Sequence, residues 1–136
     1  MTDFSYLNVD NAYKLINQKI TKTPLVTNDY INNLLEAEIY FKLENLQNTG
    51  SFKLRGATHK ITKLIENVKD SGVVAYSSGN HAQAVAYASM INSISAKIIM
   101  PKTAPVSFTF SINFVILCVA PRSLNDPVFC KFSSLK

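Results

Sequence analysis

The chain reads as an α/β fold built on a parallel sheet, and three observations predict it. Two short apolar runs, Val73–Tyr76 and Ala96–Met100, flank an alanine-rich helical stretch, Asn80–Ile91. Strand, helix and strand in that order require a crossover, and a crossover implies parallel pairing. Upstream, Glu38–Leu43 alternates Ile39, Phe41 and Leu43 against Tyr40 and Lys42, which predicts a further strand of that sheet. The expected architecture is part of a three-layer α/β/α arrangement.

The remaining elements follow from periodicity. Asp10–Ile20 places Ala12, Leu15, Ile16 and Ile20 on one helical face, and Thr23-Pro24 stops it, because proline disfavours a helical residue before it. Tyr30–Leu35 fits another short helix. Ser51–Val68 predicts one continuous helix with Leu54, Ala57, Ile61, Leu64, Ile65 and Val68 as its buried stripe, and His59 lies off that stripe on the surface. Beyond Pro105 the character changes. No charged residue occurs between Lys102 and Arg122, and Val106–Ala120 is apolar or hydroxyl-bearing almost throughout. This run is short and β-branched for a membrane helix, which needs about 20 apolar residues. A strand or an ill-fitting apolar tail is expected there. The domain division expected is 1–105 and 106–136.

Composition bounds the function. The chain has 136 residues, is 47% hydrophobic and 17% charged, and carries a net charge of +5. That suits one soluble domain with its own core. Its basic residues are scattered, so no nucleic-acid patch is expected. Cys118 and Cys130 fit neither a zinc spacing nor a CxxC motif, and read as free thiols in a reducing compartment. No secretory signal is visible at the N-terminus, and a cytoplasmic location is expected. No metal site is expected.

Two segments could carry chemistry. Gly50-Ser51-Phe52-Lys53 puts a lysine just after a glycine-serine turn, where a helix begins. A lysine amine can form a Schiff base with an aldehyde cofactor, and a helix start with Arg55 nearby would favour the neutral amine. Thr49 or Ser51 could equally serve as a plain helix cap. Ser77-Ser78-Gly79-Asn80-His81 lies beyond the carboxyl end of a strand, where ligands bind in parallel sheets. It has two readings. Asn80 could cap the helix, with Gln83 closing a capping box. Alternatively, hydroxyls and backbone N–H groups hold a carboxylate, with Gly79 allowing close approach. A Schiff-base lysine and a carboxylate cradle together point to amino-acid chemistry on pyridoxal phosphate.

The run Phe41-Lys42-Leu43-Glu44-Asn45-Leu46-Gln47-Asn48-Thr49-Gly50-Ser51-Phe52-Lys53-Leu54-Arg55-Gly56-Ala57 closely resembles the lysine segment of fold-type II pyridoxal-phosphate enzymes, in particular the threonine and serine dehydratase and serine racemase group. Ser77–Ala84 resembles that group's substrate loop, and Met100–Pro105 the strand end and turn that follow. The resemblance implies that Lys53 carries pyridoxal 5'-phosphate as a Schiff base, that Phe52 flanks the ring and that Asn80 reaches the phenolic oxygen. It implies that Ser77, Ser78, Gly79, Asn80 and His81 surround the carboxylate of serine or threonine. Ser78 occupies the position where racemases carry an acid–base serine, so Lys53 and Ser78 are the implied catalytic pair. The implied reaction is dehydration to a 2-oxo acid and ammonia, with racemisation compatible. A homo-oligomer is implied for full-length members, and membrane association is not expected. Asn28-Asp29 and Asn48 differ from the residues racemases turn towards ATP, so ATP activation is not expected. The resemblance spans Tyr13 to about Pro105. The implied glycine-rich phosphate loop, pyridine-nitrogen partner and metal ligands fall outside it. The alternative is therefore a truncated, catalytically inactive relative.

Overall fold

The structure, a computed structural model, describes residues 5–101, 115–120 and 130–131. Its elements run α1 (Tyr6–Ile16), β1 (Leu25–Thr27), α2 (Asp29–Leu35), β2 (Tyr40–Lys42), a 3-10 turn (Glu44–Leu46), α3 (Lys53–Lys63), α4 (Ile65–Val68), β3 (Val73–Tyr76), α5 (Asn80–Ile91), β4 (Ala96–Pro101), β5 (Val115–Ala120) and β6 (Cys130–Lys131).

The main sheet has the order β3-β4-β5-β6. β3 and β4 pair in parallel, with Val73 opposite Ala96 and Tyr76 opposite Ile99, and α5 makes the crossover between them. The α/β class and the parallel pair are thus as the sequence predicts. β5 also runs parallel to β4, and β6 returns antiparallel to β5. Part of the apolar run after Pro105 is therefore a strand. The rest of the expectation for 106–136, like the boundary placed at residue 105, lies outside the described residues.

Three expectations need correction. The strand near Ile39–Leu43 does not join the parallel sheet: β2 pairs antiparallel with β1, Leu25 opposite Lys42, in a separate two-stranded sheet. β1 escaped the sequence reading because it spans only three residues directly after Pro24. The first helix begins earlier than Asp10, with Ser5 at its N-cap, and stops at Ile16, although Ile16 and Ile20 are both buried as expected. The helix expected over Ser51–Val68 breaks at Leu64, whose φ of −102° and ψ of 11° leave the helical region while its N–H is shared between the carbonyls of Lys60 and Ile61.

Small side chains build the core. In α5, Ala82, Ala84, Val85, Ala86, Ala88 and Ser89 are all buried, so this helix is enclosed on most sides. α3 packs on it with Leu54, Ala57, Thr58 and Ile61 buried. α5 covers the face of the sheet formed by Ala96, Ile98 and Met100, whereas Val74 and Tyr76 point away from it and are exposed. Lys19 bolts the far ends of α3 and α5 together. Its Nζ donates to Thr62 Oγ1 at 3.2 Å and to Asn92 Oδ1 at 2.6 Å.

Gly72 makes the turn into β3. Its φ is +75°, and a Cβ there would lie 2.7 Å from the Ser95 carbonyl oxygen. Gly56, inside α3, would place a Cβ with nothing within 4 Å. Gly72→Ala is expected to destabilise the chain by about 1–3 kcal/mol through backbone strain and clash. Gly56→Ala is expected to stabilise it by about 0.5–1 kcal/mol through helix propensity. Urea unfolding midpoints moving in opposite directions would confirm both, and a neutral Gly72→Ala would refute the first.

Candidate functional site

Lys53 is the first residue of α3 and its side chain is exposed. The chain reaches it through a tight turn at Gly50, whose φ of +66° suits glycine and whose N–H donates to the Gln47 carbonyl at 2.7 Å. Ser51 is buried and its Oγ accepts the Lys53 backbone N–H at 3.2 Å, so of the two candidate caps it is Ser51 that serves the helix start. The Lys53 amine sits 5.2 Å from the centroid of the Phe52 ring, which is itself 59% exposed. The structure thus brings Lys53 and Phe52 together at an open surface.

Arg55 behaves differently from expectation. Its guanidinium turns to Glu44, with Nε donating to Oε2 at 2.8 Å and Nη2 to Oε1 at 2.7 Å. A bidentate pair of this kind balances the charge of Arg55, so it does not act as an isolated cation beside Lys53. Thr23 Oγ1 also donates to Glu44 Oε1, at 2.5 Å. The hydrogen bonds from Arg55 hold the Glu44 carboxyl down at about 2, against an ordinary 4.5, with Thr23, the charge of Arg55 and that of Lys42 adding to the effect and burial opposing it. The same partnership raises the pKa of Arg55. Gln47 forms a second tie. It is buried, its Oε1 accepts from Thr21 N at 2.7 Å and its Nε2 donates to Thr21 O at 2.9 Å. Sequence reasoning missed Glu44, Gln47 and Thr23. The available signal was an acid eleven residues before an arginine, across a glycine turn.

At the end of β3, Ser77 N–H still bonds Ile99 O, at 3.0 Å, so the loop leaves the sheet at a fixed point. Ser77 Oγ accepts the N–H of Gly79 at 3.3 Å. The N-cap of α5 is Gly79 and no side chain caps the helix. Asn80 is the first helical residue instead, and the capping box with Gln83 does not form. The intrahelical bonds start with Gln83 N–H to Gly79 O, leaving the N–H groups of Asn80, His81 and Ala82 free of any side-chain cap. Uncapped donors at a helix start favour an anion. Around Gly79 nothing lies within 4 Å of a built Cβ, so the backbone there is open to a ligand. Ser77, Ser78 and Gly79 are half-buried, and Asn80 and His81 are exposed.

A cleft of about 410 Å³ runs between α3, α5 and β3. Gly56, one turn on from Lys53, and His81 both line it, so the starts of α3 and α5 border a common space. Of the candidate site residues only His81 lines this cleft; Phe52, Lys53, Ser77, Ser78, Gly79 and Asn80 do not. Among the described residues no group of three His, Cys, Asp or Glu could hold a metal, and no helix is long and apolar enough to cross a membrane.

An exposed lysine thus stands at one helix start, and a helix start without a side-chain cap follows the parallel strand. The chain belongs to the pyridoxal-phosphate dependent enzyme family, to which residues 16–114 match. That match runs past Pro105. It is similar to the serine racemase of Dictyostelium discoideum, with 46% identity over 105 residues, covering 77% of this chain and 32% of that protein. The biosynthetic L-threonine dehydratase of Lactococcus lactis is 50% identical over 97 residues, covering 71% of this chain and 23% of that protein. The crystal structure of the Dictyostelium discoideum serine racemase superposes with a TM-score of 0.77 at 43% identity, over 83% of this chain and 38% of that one. The chain spans about a third or less of the length of these relatives. The family is dependent on pyridoxal phosphate, and the residues present fit part of that group: an exposed amine at Lys53 beside the Phe52 ring.

Because the folded Glu44 carboxyl titrates at about 2 rather than 4.5, the unfolded chain binds this proton first as pH falls. Its contribution to stability is therefore complete above pH 4.5 and is lost between pH 4.5 and 2. Urea unfolding of wild type and Glu44→Gln should show a constant stability gap at neutral pH that narrows through this window. A gap independent of pH down to 2 would contradict the assigned ion pair.

Proposed function

We propose that this chain is the lysine- and carboxylate-binding part of a serine or threonine dehydratase, an ammonia-lyase that releases a 2-oxo acid and ammonia. The observation that supports the reading is an exposed Lys53 at the start of α3 together with an uncapped start of α5, on two helices that pack on one another. Pyridoxal phosphate, when bound, supplies an electron sink for the negative charge that develops at the substrate α-carbon. Lys53 would hold the cofactor through its Nζ, and its amine would accept the α-proton of the substrate. Phe52, beside the Lys53 amine, offers an apolar wall for the ring, and the Asn80 amide supplies a donor towards it. The backbone donors of α5, with Ser77, Ser78 and His81 around them, bind and orient the substrate carboxylate. With that carboxylate fixed, the amine and α-proton are directed at Lys53.

The hydroxyl of Ser78, which dehydratases carry there too, is compatible with a second reading, serine racemisation. There Ser78 returns a proton to the α-carbon on the face opposite Lys53. The similarity to a serine racemase agrees with either reading. The whole protein's place as a cytoplasmic enzyme, its homo-oligomeric assembly and its serine or threonine preference belong to the same proposal. The division at residue 105 into a family-like part and a divergent tail does too.

The chain contains four glycines, Gly50, Gly56, Gly72 and Gly79, none of them in a glycine-rich run. In the proposed function the cofactor phosphate is therefore held by residues other than a glycine-rich run of these 136. We expect little 2-oxo acid from serine or threonine with the 136-residue chain and added cofactor, and clear turnover once it is continued into a family-type second half. In the continued protein Lys53→Ala should lower turnover by at least about 10²–10⁴-fold, the range for loss of a proton-transfer group alone. Ser78→Ala should suppress racemisation while sparing dehydration. Robust turnover by the short chain would overturn the reading of it as an incomplete, inactive relative, and turnover retained in Lys53→Ala would overturn the role of Lys53.

A further inference from the structure

We infer that the Glu44–Arg55 ion pair is a positioning device for Lys53, fixing where its amine stands rather than merely holding the fold together. The inference rests on Lys53 being the cofactor lysine. First, the Lys53 side chain is exposed, and the ring of Phe52 is the neighbour its amine faces, so its placement comes from the backbone beneath it. Second, Arg55 stands two residues further along the same first turn of α3. Residues at i and i+2 do not face each other on a helix, so Arg55 anchors that turn from another side and leaves the Lys53 amine clear.

Third, the anchor is itself anchored. Glu44 takes both prongs of the Arg55 guanidinium and also the Thr23 hydroxyl. Arg55 Nη2 reaches Thr23 Oγ1 at 3.4 Å, and Lys42 Nζ donates to the Thr23 carbonyl at 2.5 Å. Gln47 fastens the same stretch through the backbone of Thr21. The loop from Glu44 to Lys53 is thus pinned at both ends to the segment Thr21–Thr23. Between the pins run Asn48, which also bonds Thr21, the glycine turn, and the buried Ser51 and Leu54 on either side of Phe52 and Lys53. A planar two-pronged contact fixes orientation as well as distance, which a single-point contact does not.

The test uses the 136-residue chain with pyridoxal phosphate and follows covalent attachment by absorbance, with Lys53→Ala as the background. Thermal unfolding midpoints are measured on the same samples. Arg55→Lys keeps the charge and loses the two-pronged geometry; Glu44→Gln keeps the shape and loses the charge. Gly72→Ala serves as a destabilised control far from this cluster. Both cluster variants should slow attachment at Lys53, or weaken its apparent affinity, by about tenfold or more beyond the change seen in Gly72→Ala at a matched fall in unfolding midpoint. Attachment that tracks the unfolding midpoint alone in all three variants would overturn the inference while leaving Lys53 as the cofactor lysine. A wild-type chain whose signal equals the Lys53→Ala background would overturn the assignment of Lys53, and the inference with it.

Discussion

The close packing of α3 on α5 is the constraint on which the chemistry of this chain depends. α3 begins at Lys53 and α5 at Asn80, and Gly56 of the one and His81 of the other line one cleft. Small side chains make this approach possible. Ala82, Ala84, Ala86 and Ala88 of α5 are buried, and Ala57 and Thr58 of α3 are buried with them. Large residues on these faces would push the axes apart and separate the two helix starts. Lys19 fastens the opposite ends through Thr62 and Asn92, so the pair is held at its far end as well.

The parallel pairing of β3 with β4 supplies the second coordinate. The crossover through α5 makes the chain leave the sheet at Ser77, beyond the carboxyl end of β3, and turn directly into a helix whose first donors are uncapped. A protein that needed only a stable helix would place a capping side chain there. Leaving the donors uncapped costs some stability; in the proposed function those of Asn80 and His81 go to a carboxylate, and the space beside Gly79 is open. The Glu44–Arg55 pair performs the corresponding task on the lysine side, where it fixes the first turn of α3 without touching the Lys53 amine.

Much of this was legible in the sequence, for identifiable reasons. β3, α5 and β4 were readable because apolar runs and alanine-rich periodicity are local signals, and the crossover rule turns them into a parallel pair. The helix starts at Lys53 and after the Ser77–Gly79 turn were readable because glycine and serine punctuate the chain there. The β1–β2 pairing was not readable. Its partners are three residues each and stand apart in sequence, so only tertiary structure brings Leu25 opposite Lys42. Periodicity also could not show the break at Leu64, where the apolar stripe continues through an interrupted helix. Glu44 and Gln47 were invisible for another reason. Their partners, Thr21, Thr23 and Arg55, lie on separate segments, and a polar residue's partner has no periodic signature.

The central claim is that Lys53, among all the lysines of the chain, is the one presented to a carbonyl cofactor. Borohydride fixation of the chain with pyridoxal phosphate, followed by proteolysis and mass spectrometry, tests it most directly. The account predicts modification concentrated on the peptide carrying Lys53, and reduced when a small carboxylic acid competes at the start of α5. Modification spread over the exposed lysines in proportion to their accessibility, with Lys53 undistinguished, would contradict it.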